Sequence, residues 1–137
     1  MVQVDTSKHV ACSRTNHTDY IELVFEESSK QAVDQLITHL IDIASVRDDA
    51  DIKRIYINSG KVKNTQPIMY LMNQLRVSKS QLKSNDSVRI AVTFNILTFA
   101  QMINIFITTM RSPQMVFRAF GVHQSDQAIP WLLSDSD

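Results

Sequence analysis

Glycine is scarce in this chain of 137 residues, which contains only Gly60 and Gly121. Nucleotide-binding turns such as G-x-G-x-x-G and G-x-x-x-x-G-K need several glycines close together, because backbone amides must approach phosphate without a Cβ in the way. Two glycines far apart in the sequence cannot form either motif. The sequence therefore excludes dinucleotide-binding and P-loop chemistry of these types.

Cysteine is nearly absent, and the net charge is zero. Cys12 is the only cysteine, so no intrachain disulfide can form, which favours a reducing compartment. The 14 basic residues balance the 14 acidic ones, and a chain without net charge is not expected to be attracted to nucleic acid or to anionic lipid. We therefore expect a cytoplasmic protein without a nucleic-acid partner.

Long apolar runs are missing as well. The longest apolar stretch, 96–110, is interrupted by Thr98, Gln101, Asn104 and Thr108, and it is too short and too polar to span a bilayer. The first ten residues, MVQVDTSKHV, contain no apolar signal core. The composition, with 44% hydrophobic and 20% charged residues, is typical of a soluble globular protein. We expect one domain over 1–137, without stable membrane insertion.

Segments with the two-residue period of strands take turns with segments that have the 3.6-residue period of helices. The predicted strands are 20–27, 52–58, 88–94 and 115–120, and the predicted helices begin near Ser28, Thr65, Asn95 and Ser125 or Asp126. This alternation predicts an α/β fold that consists of an N-terminal β-hairpin followed by alternating α-β units. The sheet is expected to be mostly parallel, with four to five strands and with helices packed on it.

The ends of three elements depend on single residues. A first strand is predicted at 8–13, followed by a polar turn at 14–19. Ser28 and Gln31 match an S-x-x-Q capping box at the start of the first helix. Pro130 fits the last helix only if that helix begins late, because proline has no N–H to offer a helix interior.

A group of polar residues follows the strand at 52–58 and leads to the predicted second helix. Open α/β sheets place their sites in the loops after the carboxyl ends of strands, and free N–H groups at a helix start attract anions. Phosphorylation of Thr65 would be stabilised by such groups. The predicted partner or phospho-switch site comprises Ser59, Lys61, Lys63, Asn64 and Thr65. The alternative is an ordinary N-cap threonine with solvated lysines.

Soft, bulky side chains are frequent in the second and third predicted helices. Methionine and phenylalanine adapt to irregular cavities and line sites for apolar ligands. The predicted ligand pocket comprises Met69, Met72, Phe99, Met102 and Phe106. Plain core packing is the alternative for the same residues.

Catalytic and metal-binding patterns are incomplete. His9, Cys12 and His17 offer three zinc ligands, but no fourth lies near them in the sequence. Cys12 as a nucleophile would need a neighbouring base, and residues three apart in a strand, such as His9 and Cys12, point to opposite faces. The chain contains no G-x-S-x-G motif. We therefore expect no metal, no cofactor and no enzyme activity.

Two stretches of the chain resemble a known family. The segment IKRIYINSGKVKNTQPIMYLM is similar to a strand, loop and helix start, and MVFRAFGVHQSDQAIPWLL is similar to a closing strand and short helix. Both resemble the STAS and SpoIIAA-like domains, whose Asp-Ser-Ser-Gly signature carries a phosphorylatable serine. Thr65 keeps a hydroxyl at the signature, whereas Asn64 replaces the acid and Pro67 the glycine. The Ala-Trp-Leu ending of the SpoIIAA-like branch is matched by Ala128, Trp131 and Leu132.

The resemblance implies a function. STAS domains are bacterial anti-sigma-factor antagonists and their relatives, so a divergent member is expected to be a non-catalytic signalling module. It would bind a protein partner such as an anti-sigma factor or a kinase-like regulator, with phosphorylation of Thr65 as a means of control. The SpoIIAA-like branch implies the alternative of a carrier or sensor for a small apolar, lipid-like ligand. A homodimer is compatible with both functions.

A degenerate receiver-like domain is the remaining alternative, because receiver domains have a similar order of helices and strands. Receiver domains need an acidic pair after the first strand and an acceptor aspartate after the third. Here Asn58 ends the strand IKRIYIN, and no paired acids follow a suitable first strand. This alternative therefore ranks below the STAS resemblance.

Overall fold

The computed structural model describes residues 9–45, 52–59, 68–78, 87–94, 115–121 and 124–134. These residues form the strands β1 (Cys12–Asn16), β2 (Ile21–Phe25), β3 (Ile52–Asn58), β4 (Ser87–Phe94) and β5 (Met115–Gly121), and the helices α1 (Lys30–Ser45), α2 (Ile68–Val77) and α3 (Ser125–Leu133). The helix predicted to begin near Asn95 lies outside the described residues. No helix in the described part of the chain is long and apolar enough to span a membrane.

The described strands form one sheet, in which the strand order β1-β2-β3-β4-β5 follows the chain. β1 pairs antiparallel with β2, and the pairs from β2 to β5 are parallel. A parallel pair needs a crossover connection, and α1 and α2 occupy two of these connections. The predicted α/β class, with an N-terminal hairpin and a mostly parallel sheet, is confirmed.

The first face of the sheet packs against α1 and α2. Side chains alternate along a strand, so every second residue of β3 and β4 points to this face. α1 presents its apolar stripe to it, at the three- and four-residue spacing of an amphipathic helix. The core of this α1 face contains Leu23, Phe25, Val33, Leu36, Leu40, Ile55, Ile57, Ile90 and Val92, all at most 3% exposed.

The opposite face of the sheet packs against α3. Its core is smaller and contains Tyr56, Ala91, Phe120, Ala128 and Leu132, with Trp131 partly buried beside them. Arg89 of β4 is 5% exposed, and its guanidinium lies 3.9 Å from the centre of the Trp131 ring. Arg54 of β3 donates from Nη1 to the Leu132 carbonyl at 2.5 Å. The α3 face therefore combines a compact apolar centre with two arginines at the end of α3.

The buried Lys53 donates hydrogen bonds to the end of α1, as Arg54 does to the end of α3. Lys53 is 5% exposed and shares the α1 face with Ile55 and Ile57, as the strand period predicts. Its Nζ donates to the carbonyl oxygens of Ile43 at 3.0 Å and Ala44 at 3.4 Å, both in the last turn of α1. A cation at this position is favourable because the last carbonyls of a helix lack intrahelical donors and carry negative partial charge.

Two predicted boundaries are wrong. The first strand is Cys12–Asn16 rather than 8–13, so residues 14–16, predicted as turn, belong to the sheet. Their polar side chains are tolerated because β1 is an edge strand whose outer residues face solvent. The first helix is capped by Ser29 rather than Ser28, since Ser29 Oγ accepts from the Ala32 N–H at 3.1 Å. α3 begins at Ser125, as predicted, and Pro130 lies inside it, so the expectation that this proline requires a later start is wrong.

Candidate functional site

The end of β3 is the part of the predicted switch site that the structure describes. Ser59 directly follows β3, whereas Lys61, Lys63, Asn64 and Thr65 lie outside the described residues. In the sheet, Asn58 at the end of β3 lies between Val24 of β2 and Thr93 of β4. The structure therefore places Ser59 next to the carboxyl ends of parallel strands, and the switch site itself stays a prediction.

Ser59 has an uncommon environment for a serine. Its side chain is 4% exposed, and its Oγ is the one buried side-chain oxygen in the described residues without a hydrogen-bond partner. Burying a hydroxyl without a partner costs about 1–3 kcal/mol. A group kept at such a cost marks Ser59 as a candidate for contact with a group that binds at this end of the sheet.

Replacement of Ser59 by alanine is expected to stabilise the protein. Ser59→Ala removes the unpartnered hydroxyl and should raise the free energy of unfolding by about 1 kcal/mol, measured by urea denaturation. Ser29→Ala is the matched control and should lower the free energy of unfolding by about 1 kcal/mol, because it removes the cap of α1. A loss of stability in Ser59→Ala would show that the hydroxyl has a partner in the folded protein.

A polar cluster on the α3 face joins the end of β3 to the β1–β2 turn. Asn58 Nδ2 donates to Glu22 Oε2 at 3.0 Å, and His17 Nε2 lies 2.8 Å from Glu22 Oε1. The His17 ring stacks on Tyr20, with ring centres 4.5 Å apart. The Glu22 carboxylate is thus held between the turn and β3, and it gives this part of the sheet a fixed, negatively charged acceptor.

Two tyrosines lie beside this carboxylate. Tyr20 and Tyr56 meet edge to face at 6.4 Å between ring centres, and Tyr56 Oη lies 3.4 Å from Thr93 Oγ1. Burial and the Glu22 charge raise the pKa of Tyr20. Burial raises the pKa of Tyr56, the hydrogen bond to Thr93 lowers it, and Glu22 and Tyr20 raise it further. Both phenols therefore stay protonated at neutral pH and act as hydrogen-bonding groups.

α2 presents an outward stripe that consists of Met69, Asn73, Arg76 and Val77. Met69 is 73% exposed and Val77 is 66% exposed. Arg76 Nη2 donates to Asn73 Oδ1 at 2.7 Å. Two large apolar side chains in water on one side of a helix, with a cation between them, form a surface suited to contact with another protein.

The predicted ligand pocket is described only in part. Met69 points to solvent rather than into a pocket, and Met72 packs half-buried against the core of the α1 face. Phe99, Met102 and Phe106 lie outside the described residues. The void among Phe25, Leu36, Ile57 and their neighbours measures about 10 Å³, about the space of one water molecule. The pocket stays a prediction, and this void is too small for a lipid-like ligand.

His9, Cys12 and His17 do not form a metal-ligand group in the described part of the chain. The exposed His9 pairs with Glu27, and His17 pairs with Glu22. Burial, followed by the Glu26 charge, raises the pKa of the Cys12 thiol to about 12, so it is not a nucleophile at neutral pH. Within the described ranges, no three histidine, cysteine, aspartate or glutamate side chains are grouped to hold a metal.

Sequence reasoning missed the polar cluster and the arginines of the α3 face. Glu22 and Asn58 belong to strands that the sequence does identify, and both alternate with buried residues. Their meeting depends on the parallel register of β2 and β3, for which a single sequence contains no signal. Polar residues on the less apolar side of two predicted neighbouring strands are the pattern that suggests such a cluster.

No protein-family model matches this chain, and no curated protein or solved structure is significantly similar to it.

Proposed function

We propose that this chain is a non-catalytic regulatory module of STAS type, which acts in the cytoplasm by binding a protein partner through the outward stripe of α2. The sequential sheet order and the N-terminal hairpin support this proposal. So does the position of α2, which begins shortly after the predicted switch residues.

The exposure of Met69 and Val77 is the observation that carries the proposal. Each of these side chains keeps most of its apolar surface in water. They lie away from the buried side of α2, which is formed by Leu71 and Leu75. Full burial of one such side chain contributes about 1.5–3 kcal/mol. A partner that covers both therefore gains binding energy without any change in the fold.

The stripe also indicates the chemistry of the partner surface. Arg76 is held by Asn73, a neutral acceptor, so its positive charge is not cancelled by that contact. Lys61 and Lys63 precede α2 in the sequence. An apolar surface with an acidic border fits this arrangement, because opposite charges at the border of an interface steer association and fix orientation.

Phosphorylation of Thr65 is the proposed control. Thr65 precedes the first described residue of α2 by three positions, and a phosphate near a helix start interacts favourably with free N–H groups and adjacent lysines. The negative charge of the phosphate would then compete with the acidic border of the partner for these lysines. Thr65→Glu should weaken binding of the partner, and Thr65→Ala should prevent regulation by a kinase.

The surface is tested by site-specific crosslinking in the source organism. A photoreactive amino acid at Asn73 should yield a defined crosslinked protein, whereas the same group at Asp42, exposed on α1, should not. Met69→Glu should then lower the affinity for that protein at least about tenfold, because it buries a charge in place of an apolar group. An identical crosslinking pattern from both positions, or an unchanged affinity in Met69→Glu, would refute this function.

A further inference from the structure

α1 and α2 lie side by side on the same face of the sheet. Both run in the same direction, because each connects two neighbouring parallel strands. The beginnings of the two helices are joined by the Tyr70 hydroxyl, which donates to Asp34 Oδ1 at 2.6 Å. Lys30 Nζ lies 5.2 Å from the centre of the same Tyr70 ring. The outward stripe of α2 is therefore bordered by a side of α1 whose position is fixed.

This side of α1 extends the outward stripe of α2 with partly buried apolar side chains. Tyr70 and Ile41 are partly buried and pack against the core of the α1 face. Ile41 follows Asp34 by two helical turns, so both lie on one side of α1, and Val77 follows Tyr70 in the same way on α2. Together these side chains form the α1–α2 surface, which comprises Asp34, Ile41, Met69, Tyr70, Arg76 and Val77.

The two ends of the α1–α2 surface carry opposite charges. Asp34 is exposed, and the hydrogen bond to its carboxylate comes from a neutral phenol. Arg76 is also exposed, and it is held over the outward stripe by the neutral amide of Asn73. Neither residue belongs to an ion pair within the described ranges. Arg76 follows Tyr70, the neighbour of Asp34, by six residues, which is about 9 Å along the helix.

Helix dipoles give a direction to a helix that packs on this surface. The first turns of α1 and α2 carry positive partial charge, and their last turns carry negative partial charge. A third helix is therefore favoured when it runs the opposite way, with its start beside Arg76 and its end beside Asp34. Its terminal carbonyls then face Lys30, one turn beyond Asp34. An acid near its start and a base near its end also stabilise such a helix by itself.

We propose, on the basis of the proposed function, that the partner segment on the α1–α2 surface is an amphipathic helix antiparallel to α1 and α2. Its apolar side covers Met69, Tyr70 and Val77. It has an acid opposite Arg76 and, about two turns later, a base opposite Asp34. Packing of an amphipathic helix on an apolar surface is a common form of recognition, with anchors at three- and four-residue spacing. Tyrosine and arginine are also frequent among the residues that dominate binding energy.

The test uses a synthetic amphipathic peptide of about 14 residues, about 21 Å long as a helix, held helical by a hydrocarbon staple and labelled with a fluorophore. It has leucines on one side, a glutamate in its first turn and a lysine two turns later. The full chain should bind this peptide in fluorescence anisotropy. Asp34→Lys should lower the affinity about tenfold, because it replaces an attractive charge pair by a repulsive one.

Asp42→Lys is the matched control for Asp34→Lys. Asp42 is exposed on the other side of α1, where it pairs with Arg14, so the peptide affinity should stay within about threefold of the wild type. Thermal unfolding checks that both variants fold. Equal affinities of Asp34→Lys and Asp42→Lys, or a wild-type chain that does not bind the peptide, would overturn the proposal.

Exchanged charges determine the direction of the bound helix. A peptide with glutamate in place of its lysine should restore the affinity for Asp34→Lys to within about threefold of the original pair. Arg76→Glu should also bind the original peptide about tenfold more weakly, and a peptide with lysine in place of its first-turn glutamate should restore that affinity. Rescue of each variant by the change at the opposite end of the peptide would contradict the antiparallel direction.

This result is separate from the test of the proposed function. Crosslinking at Asn73 and the affinity of Met69→Glu decide whether α2 binds a partner, whatever the structure of that partner. A defined crosslink without charge rescue would refute the helix but not the partner-binding function. Charge rescue without any crosslink would refute partner binding in the source organism but not the shape and charge of the occupant that this surface accepts.

Discussion

Replacing Arg89 by alanine should lower the free energy of unfolding by about 3 kcal/mol, the largest loss that we expect from a single polar residue of this chain. Arg89 is 5% exposed, and its Nε and Nη2 donate to the Trp131 carbonyl at 3.1 and 2.9 Å. Nη2 also donates to Ser134 Oγ at 3.0 Å. The substitution removes these charge-assisted hydrogen bonds, the contact with the Trp131 ring and the volume of a buried side chain.

The expected loss is centred on α3. Urea denaturation measures the total change, and hydrogen exchange should show the amides of α3 losing protection first. Arg118→Ala is the control: Arg118 lies on the same face of the neighbouring strand but is exposed, so the loss should stay below about 1 kcal/mol. Arg89→Lys keeps the positive charge but lacks the planar guanidinium. Its loss of stability should therefore lie between the losses of Arg89→Ala and Arg118→Ala. Equal losses in Arg89→Ala and Arg118→Ala would contradict the role of Arg89.

Replacing Lys53 by methionine should lower the free energy of unfolding by about 2 kcal/mol. Methionine preserves most of the packing on the α1 face but has no donor for the carbonyls of Ile43 and Ala44. These carbonyls end α1, and Lys53 Nζ supplies them with both a hydrogen bond and a positive charge. The loss follows because a helix end in a buried place needs such a partner.

Lys30→Met is the control for Lys53→Met. Lys30 is exposed in the first turn of α1, where a cation interacts slightly unfavourably with the helix dipole. The free energy of unfolding of Lys30→Met should therefore stay within about 0.5 kcal/mol of the wild-type value. The comparison is made by thermal and urea unfolding of the three proteins. A more stable Lys53→Met would contradict the expectation. It would show that the cost of burying the ammonium group exceeds the gain from the two carbonyls.

Both predictions depend on one structural feature. Each face of the sheet supplies a cation to the last turn of the helix that packs on it: Lys53 to α1, and Arg89, with Arg54, to α3. These residues belong to strands, where side chains alternate between faces, so Lys53 and Arg54 serve different helices although they are adjacent. A sequence pattern places each of them on a face, but the carbonyls that they meet belong to distant segments.

The elements with regular periodicity could be predicted from the sequence. β3 lies at Ile52–Asn58, as predicted, and α1, β4, β5 and α3 lie close to their predicted places. Strands and helices of this kind bury one continuous side, and burial leaves a periodic trace in the sequence. β1 leaves no such trace, because its residues from Arg14 to Asn16 are exposed. The choice between Ser28 and Ser29 as the cap of α1 also has no periodic signal.

The predicted switch site stays a prediction, because the structure describes only Ser59 of its residues. The rule that sites follow the carboxyl ends of parallel strands points to the end of β3, where the structure shows Ser59 buried without a partner. The burial of Ser59 could not be predicted, because residues that follow a strand are usually exposed. The contacts among His17, Glu22 and Asn58 depend on the pairing of β2 with β3. The exposure of Met69 also escaped prediction, since an apolar residue near the start of a helix is expected to face the core.

By itself, the sequence determined the α/β class, the exclusion of glycine-rich nucleotide-binding motifs and the side of β3 that is buried. Composition and hydrophobic periodicity are properties of the sequence itself, so they can be read without knowing any tertiary contact. Only the tertiary structure decided which polar groups meet: Tyr70 with Asp34 between α2 and α1, Lys53 and Arg89 at helix ends, and Glu22 between His17 and Asn58. Such contacts join segments that are far apart in the chain. Their geometry follows from strand register and helix packing, which are set by the whole fold.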